Sequence, residues 1–364
     1  MAELAAATSS GLDGIVVAET KISEVDGQRG KLIICGRDSE ELAFDSTFEE
    51  TAALLWGDTK SDMQAQFAKG RVAAFELLQA NPTILNQPNP MDAIRTATSF
   101  LTSGTESTTA EYAKITAAIG VFASNWYRHH KGLAFLAPET SLSHAADFLR
   151  TLTGKPPSEA ETAALDIYWT TVSDHGMNAS TFTARVVAST ESDNISCIVA
   201  AIGALKGPLH GGAPGPVLEM LQEISAPENA EKWLTNALDS GKRIMGMGHR
   251  IYKVRDPRAA IFEKAITQLE SESAGAPSKI LPLARAVEKK AEEILAQRHP
   301  ERPLKANVEF YTAVLLDAIR IPHELFSSMF AGGRAAGWCA HIAEQRATGR
   351  LIRPASKYVG PAPR

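Results

Sequence analysis

The chain has 364 residues, 44% of them hydrophobic, and a formal net charge of −5. That length exceeds the ~250–300 residues at which one core usually divides, so two domains are expected. The net acidity excludes a general attraction to nucleic acid or to an anionic membrane and leaves the basic residues local tasks.

Cys35, Cys197 and Cys339 are far apart and form no CxxC pair, which argues for a reducing compartment and against a disulfide frame or a zinc site. No Arg precedes Arg29, and the longest apolar run, Cys197 to Leu205, has nine residues. Neither a targeting segment nor a membrane span is expected, and the chain reads as cytoplasmic.

In chain order, residues 1–14 read as a frayed tail. Ile15 to Ile34 carries the clear strand signal, with Asp26-Gly27 as its hairpin turn. Helices are expected from there on. Thr47 and Glu50 form a capping box for a helix to Trp56, with Gly57 as its stop. Met63, Phe67, Ala74 and Leu78 fall near helical spacing. A connection rich in proline and asparagine spans Pro82 to Pro90, followed by helices over about 91–102 and 106–130. Leu142, Ala145, Leu149 and Leu152 mark a further helix, closed at Gly154. Ile195, Ile198, Val199, Ile202 and Leu205 mark another, whose small residues suit either a subunit interface or a buried core. The densest breaker cluster, Gly207 to Pro216, suggests a hinge; a second boundary is expected near Arg320-Ile-Pro322, and 275–282 is expected to be a loop.

The stretch with most chemical content runs from Gly246 to Arg258, Gly-Met-Gly-His-Arg-Ile-Tyr-Lys-Val-Arg-Asp-Pro-Arg. Gly246 and Gly248 permit backbone angles that other residues avoid, so main-chain N–H groups could meet an anion. His249 could polarise a carbonyl near neutral pH, and Arg258 offers a planar fork for a carboxylate. The same stretch also fits an ordinary turn with a solvated basic face. Two further histidines sit in glycine-flanked or polar turns, His210 in Lys206 to Pro214 and His175 in Asp174 to Phe182, and Asn307-Val-Glu-Phe-Tyr311 follows.

With these motifs the chain resembles citrate synthase in its shorter bacterial and archaeal form. The likeness extends to Thr20 to Leu32, Pro90 to Ala97, Asp147 to Gly154, Pro322 to His341 and Arg350 to Pro354. The resemblance implies an all-α two-domain fold with a short N-terminal β-hairpin. With the two breaker boundaries above, 1–213 and 321–364 are expected to form the large domain and 214–320 the small one. The resemblance also implies a homodimer with shared active sites and a Claisen-type condensation of acetyl-CoA with oxaloacetate. No cofactor or metal is implied, since acetyl-CoA is a substrate.

By the same resemblance, Glu309 is the base, His210 donates to the thioester carbonyl and His249 to the oxaloacetate ketone. His175 is a further oxaloacetate contact. Arg258, Arg334 and Arg353 receive the substrate carboxylates, with Arg353 reaching into the neighbouring subunit. Gly246, Gly248, Arg250, Lys253 and Lys305 resemble the CoA-binding surface. His129, His130, His144, His299, His323 and His341 read as structural.

The sequence departs from the family pattern at several points. The familiar base is Asp, and Glu309 adds a methylene, about 1 Å of reach. Trp169 to Asp174 replaces a segment rich in Leu, Ile and His; Ala355 stands where a second Arg is common; Gly332-Gly333 should loosen the helix carrying Arg334. Two alternatives stand beside citrate synthase. One is 2-methylcitrate synthase acting on propionyl-CoA, which one methylene in an apolar pocket barely distinguishes. The other is a non-catalytic relative.

Overall fold

The computed structural model describes residues 11–361 except 13, 104–107, 211–213, 250, 273–279 and 302–303. The described chain opens with a three-stranded antiparallel sheet, β1 (Ser23–Asp26), β2 (Lys31–Ile34) and β3 (Arg37–Asp38), in the order β1-β2-β3. Helices follow: α1 (Ser39–Asp45), α2 (Phe48–Trp56), α3 (Met63–Ala80), α4 (Pro90–Ser99), α5 (Thr109–His130), α6 (His144–Thr153), α7 (Glu159–Val172) and α8 (Ala179–Ala188). The second half holds α9 (Asn194–Leu205), α10 (Pro214–Ile224), α11 (Ala230–Asp239), α12 (Pro257–Glu272), α13 (Ile280–Arg298), α14 (Val308–Ala318) and α15 (Phe326–Thr348). The fold is all-α with a small N-terminal sheet, as the sequence leads one to expect.

Local chemistry sets many of the helix ends. Thr47 Oγ1 accepts the Glu50 N–H at 3.2 Å while the Glu50 carboxylate accepts the Thr47 N–H at 2.8 Å, and Gly57 closes α2 at φ 69°. Ser158 and Glu161 repeat the box at the start of α7, and Gly154 ends α6 at φ 73°. Some expectations need correction. Ile15 to Val17 lie outside the sheet, whose first strand begins at Ser23. Leu142 precedes α6, and 280–282 open α13 instead of closing a loop; the rest of that interval, 275–279, lies outside the described residues.

α5 is the axis of the larger cluster, packing on α3, α4, α6 and α15. Its residues from Glu111 to Trp126 are buried almost without a break, save Lys114, as expected of a helix surrounded by others. Small residues set the closest approaches. A Cβ on Gly333 would stand 2.6 Å from Val172 Cγ2, and one on Gly337 would overlap the Ser173 carbonyl oxygen. Gly333 therefore brings α15 against α7 rather than loosening it. Among the described residues no helix is long and apolar enough to cross a membrane.

Candidate active site

Five elements deliver the site, one of them the turn after α9 that holds His210. α7 runs into the turn holding His175, the loop before α12 holds His249, α14 carries Glu309 in its first turn, and α15 carries Arg334. Asn307 joins two of them. Its Oδ1 caps α14 by accepting the Glu309 N–H at 3.0 Å, and its Nδ2 donates to the Gly248 carbonyl at 2.9 Å. Backbone bonds from Asn307 N to Gly246 O (2.9 Å) and from Gly248 N to Lys305 O (2.7 Å) complete the tie.

The two glycines thus act through conformation. Gly246 and Gly248 have φ of 73° and 88°, and a Cβ on either would come within 2.9 Å of Phe310 or Leu304. Contrary to the expectation of anion-facing amides, the Gly248 N–H is already donated within the chain.

The histidines have assignable protons. Nδ1 of His249 accepts two main-chain N–H groups, from Ile251 at 3.0 Å and Tyr252 at 3.1 Å, so its own proton sits on Nε2. Nε2 of His210 faces Ser180, 3.2 Å from its N–H and 2.9 Å from its Oγ, and accepting from the N–H leaves the His210 proton on Nδ1. Trp338 Nε1 in turn donates to Ser180 Oγ at 3.1 Å and fixes that turn. Burial, aided by Arg334, pushes the His210 pKa down to about 4; burial, aided by Arg258, does the same to His249. Both rings are neutral N–H donors at physiological pH. His175, buried, is held well below its usual range by the same causes, burial first and then Arg258 and Arg334.

Tyr252, which sequence reasoning did not single out, completes this group. Its hydroxyl lies 3.0 Å from His175 Nε2, and its ring centroid is 4.8 Å from that of His249. It sits inside the stretch already marked, but nothing in the spacing says that it bridges two histidine turns.

The cations are held in defined orientations. Asp256 accepts from Arg258 Nε at 3.0 Å and from Nη2 at 2.7 Å, so the guanidinium enters the site with one edge already paired. Burial works to lower Arg258, but the Asp256 charge outweighs it and the net direction is up. Arg334 Nε donates to the Val172 carbonyl at 2.6 Å, while its Nη2 is buried with no hydrogen-bond partner among the described residues. Burial pushes Arg334 down to about 10, further lowered by Arg258 and opposed by Asp174.

Glu309 Oε2 is likewise buried and without a partner among the described residues, and burial raises its carboxyl to about 7 against the pull of Arg258 and Arg334. A carboxyl poised near neutrality in the field of two fixed guanidinium groups suits proton abstraction from carbon next to a bound dianion.

The remaining sites differ. Arg353 is exposed on the extended segment after α15, and Lys253 is exposed on the loop after His249. Lys305 pairs with Glu292 at 2.6 Å. Arg250 lies outside the described residues. Beside His249 opens a cavity of about 560 Å³ lined by Lys242, Arg243, Met247, Gly248, His299 and Leu304. His299, read as structural from the sequence, borders this space.

A family model described as citrate synthase, C-terminal domain, matches residues 11–355. The chain is 37% identical to a citrate synthase of Haloferax volcanii, over 96% of this chain and 95% of that protein. It is also 37% identical to citrate synthase 2 of Bacillus subtilis, over 96% and 95%. Among solved structures, citrate synthase from Thermotoga maritima superposes with a TM-score of 0.83 at 34% identity, covering 96% of this chain and 95% of that one. A ternary complex of carboxymethyl coenzyme A and oxaloacetate with the Thermoplasma acidophilum citrate synthase gives 0.84 at 28%, covering 97% and 96%.

Proposed function

The chain belongs to the citrate synthase family and has its activity, and we propose that the residues above carry out the reaction in the following way. Oxaloacetate binds first, its carboxylates on Arg334 Nη2 and the free edge of Arg258, with His175 and a second copy's Arg353 completing the site. The Nε2–H of His249 points its donor at the ketone. Acetyl-CoA lies in the cavity beside His249, with Lys242 and Arg243 near its phosphates.

Glu309 then takes a proton from the acetyl methyl while Nδ1–H of His210 donates to the thioester oxygen. The enol carbon attacks the ketone carbon, and the ketone oxygen becomes the citryl hydroxyl with His249 as its donor. Water cleaves the citryl thioester to citrate and CoA. Neutral histidines suit both donor roles, because they stabilise developing negative charge without a full cation that would hold the product.

The observation that carries this assignment is that Glu309 Oε2 and Arg334 Nη2, whose groups act on one another, are both buried with no partner among the described residues. Buried polar atoms without partners are costly, and a bound substrate supplies what each lacks. We read 1–213 with 321–364 as one domain and 214–320 as the other, with the site drawing α7 and α15 from the first and α12 and α14 from the second. We assign the working unit as a homodimer, in the cytoplasm, at the entry of the tricarboxylic acid cycle.

The named relatives are citrate synthases, which does not favour propionyl-CoA as the substrate. The test is thiol release from acetyl-CoA and from propionyl-CoA, each with oxaloacetate. Higher kcat/KM with acetyl-CoA is expected; preference for propionyl-CoA would transfer the site to the homologous reaction.

A further inference from the structure

The β1–β2 hairpin lies outside the catalytic roles above, yet it touches the turns of His175 and His249. Ser23 on β1 sits beside the residues that flank His175. Its hydroxyl donates to Asp174, and it accepts the Gly176 N–H at 2.9 Å. Asp174 is buried; burial works to raise its carboxyl, but His341, Arg334 and Ser23 together hold it low, so it is a fixed anion behind His175.

The hairpin turn meets the second loop. Lys253 N donates to the Gly27 carbonyl at 2.9 Å. A Cβ on Gly27 would overlap the Ile251 carbonyl oxygen, and one on Gly30 would stand 2.7 Å from Val254 Cγ2. Ile251 and Tyr252 are the residues whose N–H groups fix the His249 tautomer, and the Tyr252 hydroxyl returns to His175. The path from hairpin to His175, to Tyr252, to the His249 loop and back to the hairpin is therefore closed. Asp26 stiffens the turn by accepting from the N–H groups of Gln28 at 3.0 Å and Arg29 at 2.8 Å.

We propose that the N-terminal hairpin is a positioning element of the oxaloacetate site, in which Ser23 sets the His175 turn and Gly27 seats the loop that carries His249. Neither residue touches substrate. The inference rests on His175 and His249 being oxaloacetate contacts.

The test compares Ser23→Ala, Ser23→Thr, Gly27→Ala and Gly36→Ala in the full chain, reading oxaloacetate Kd by calorimetry, KM for each substrate and thermal midpoint. Gly36 is the control, because its φ of 82° strains any replacement of the same sheet while its Cβ would meet no atom within 4 Å. Ser23→Ala and Gly27→Ala should weaken oxaloacetate about tenfold, the scale of one lost hydrogen bond to a charged group. In Ser23→Ala, KM for acetyl-CoA should stay within about twofold; Ser23→Thr should restore binding, and Gly36→Ala should lower the midpoint without moving oxaloacetate Kd.

Wild-type oxaloacetate affinity in Ser23→Ala and Gly27→Ala would overturn the proposal, and so would an equal loss in Gly36→Ala. If Gly27→Ala does not fold, the Ser23 pair decides alone. Failure of the wild-type chain to bind oxaloacetate would instead remove the reading of the site on which the proposal rests.

Discussion

Asn307 holds the Gly248 carbonyl at 2.9 Å with the amide of the same side chain that caps the Glu309 helix. Glu309, the proposed base, and the loop of His249, the proposed ketone donor, are thereby registered through one residue. Asn307→Asp keeps a good N-cap but replaces the donor with an acceptor facing a carbonyl. Turnover should fall at least about tenfold, the scale of a misplaced reacting group, while the thermal midpoint changes little. Asn307→Ala should lose both, with about 0.5–2 kcal/mol of stability gone with the cap. Paired melts and steady-state rates check this.

A second expectation concerns stability and pH. Burial raises the Glu309 carboxyl from 4.5 to about 7. A carboxyl with a higher pKa in the folded state binds its proton more tightly there, so stability falls as pH rises from 4.5 to 7 and the loss is complete above 7. Removing the charge with Glu309→Gln should therefore stabilise the protein by about 3 kcal/mol at alkaline pH and by almost nothing near pH 4.5. Denaturant titrations of both proteins across that range measure it. This is the reverse of the usual cost of losing a buried polar contact.

The histidine tautomers are directly observable. Nitrogen NMR should find His249 protonated on Nε2 and His210 on Nδ1, both still neutral at about pH 5.5 because burial holds their pKa values near 4. An imidazolium signal for either at that pH would contradict the donor roles.

Close helix approach at the site should be intolerant of side chains. Gly337→Ala places a methyl against the Ser173 carbonyl, immediately before Asp174. A loss of roughly 1–3 kcal/mol is expected from such overpacking, together with weaker oxaloacetate binding as the His175 turn shifts.

Sharing of the site between subunits can be read by complementation. An Arg353→Ala chain mixed with an Arg258→Ala chain should regain part of the activity in mixed dimers, since one of the two sites would keep both arginines. Mixed dimers that form but show no recovery would place Arg353 outside the partner's site.

What was legible in the sequence was what is decided locally or held in a contiguous motif. Thr47, Glu50 and Gly57 announce α2 because caps act over a few residues. The turns of His175, His210 and His249 were marked by the glycines and polar residues around them. Contacts between residues far apart in the chain were not legible. Nothing near Ser23 signals Asp174, and nothing near Tyr252 signals His175. Gly332-Gly333 read as a weak point because helix propensity sees one helix at a time, whereas the structure packs Gly333 on Val172 of another. Ile15 to Val17 has strand-like composition but pairs with no strand among the described residues, and composition without a partner makes no sheet.

The central claim is that Glu309 removes the acetyl proton. It is tested most directly by following exchange of the acetyl-CoA methyl protons into heavy water, with a dicarboxylate analogue of oxaloacetate that cannot condense. The wild-type chain should exchange them, and Glu309→Gln should slow exchange by about 10²–10⁴-fold, the range for a positioned general base, while still binding the analogue. Exchange at the wild-type rate in Glu309→Gln would contradict the account and leave another group to take the proton.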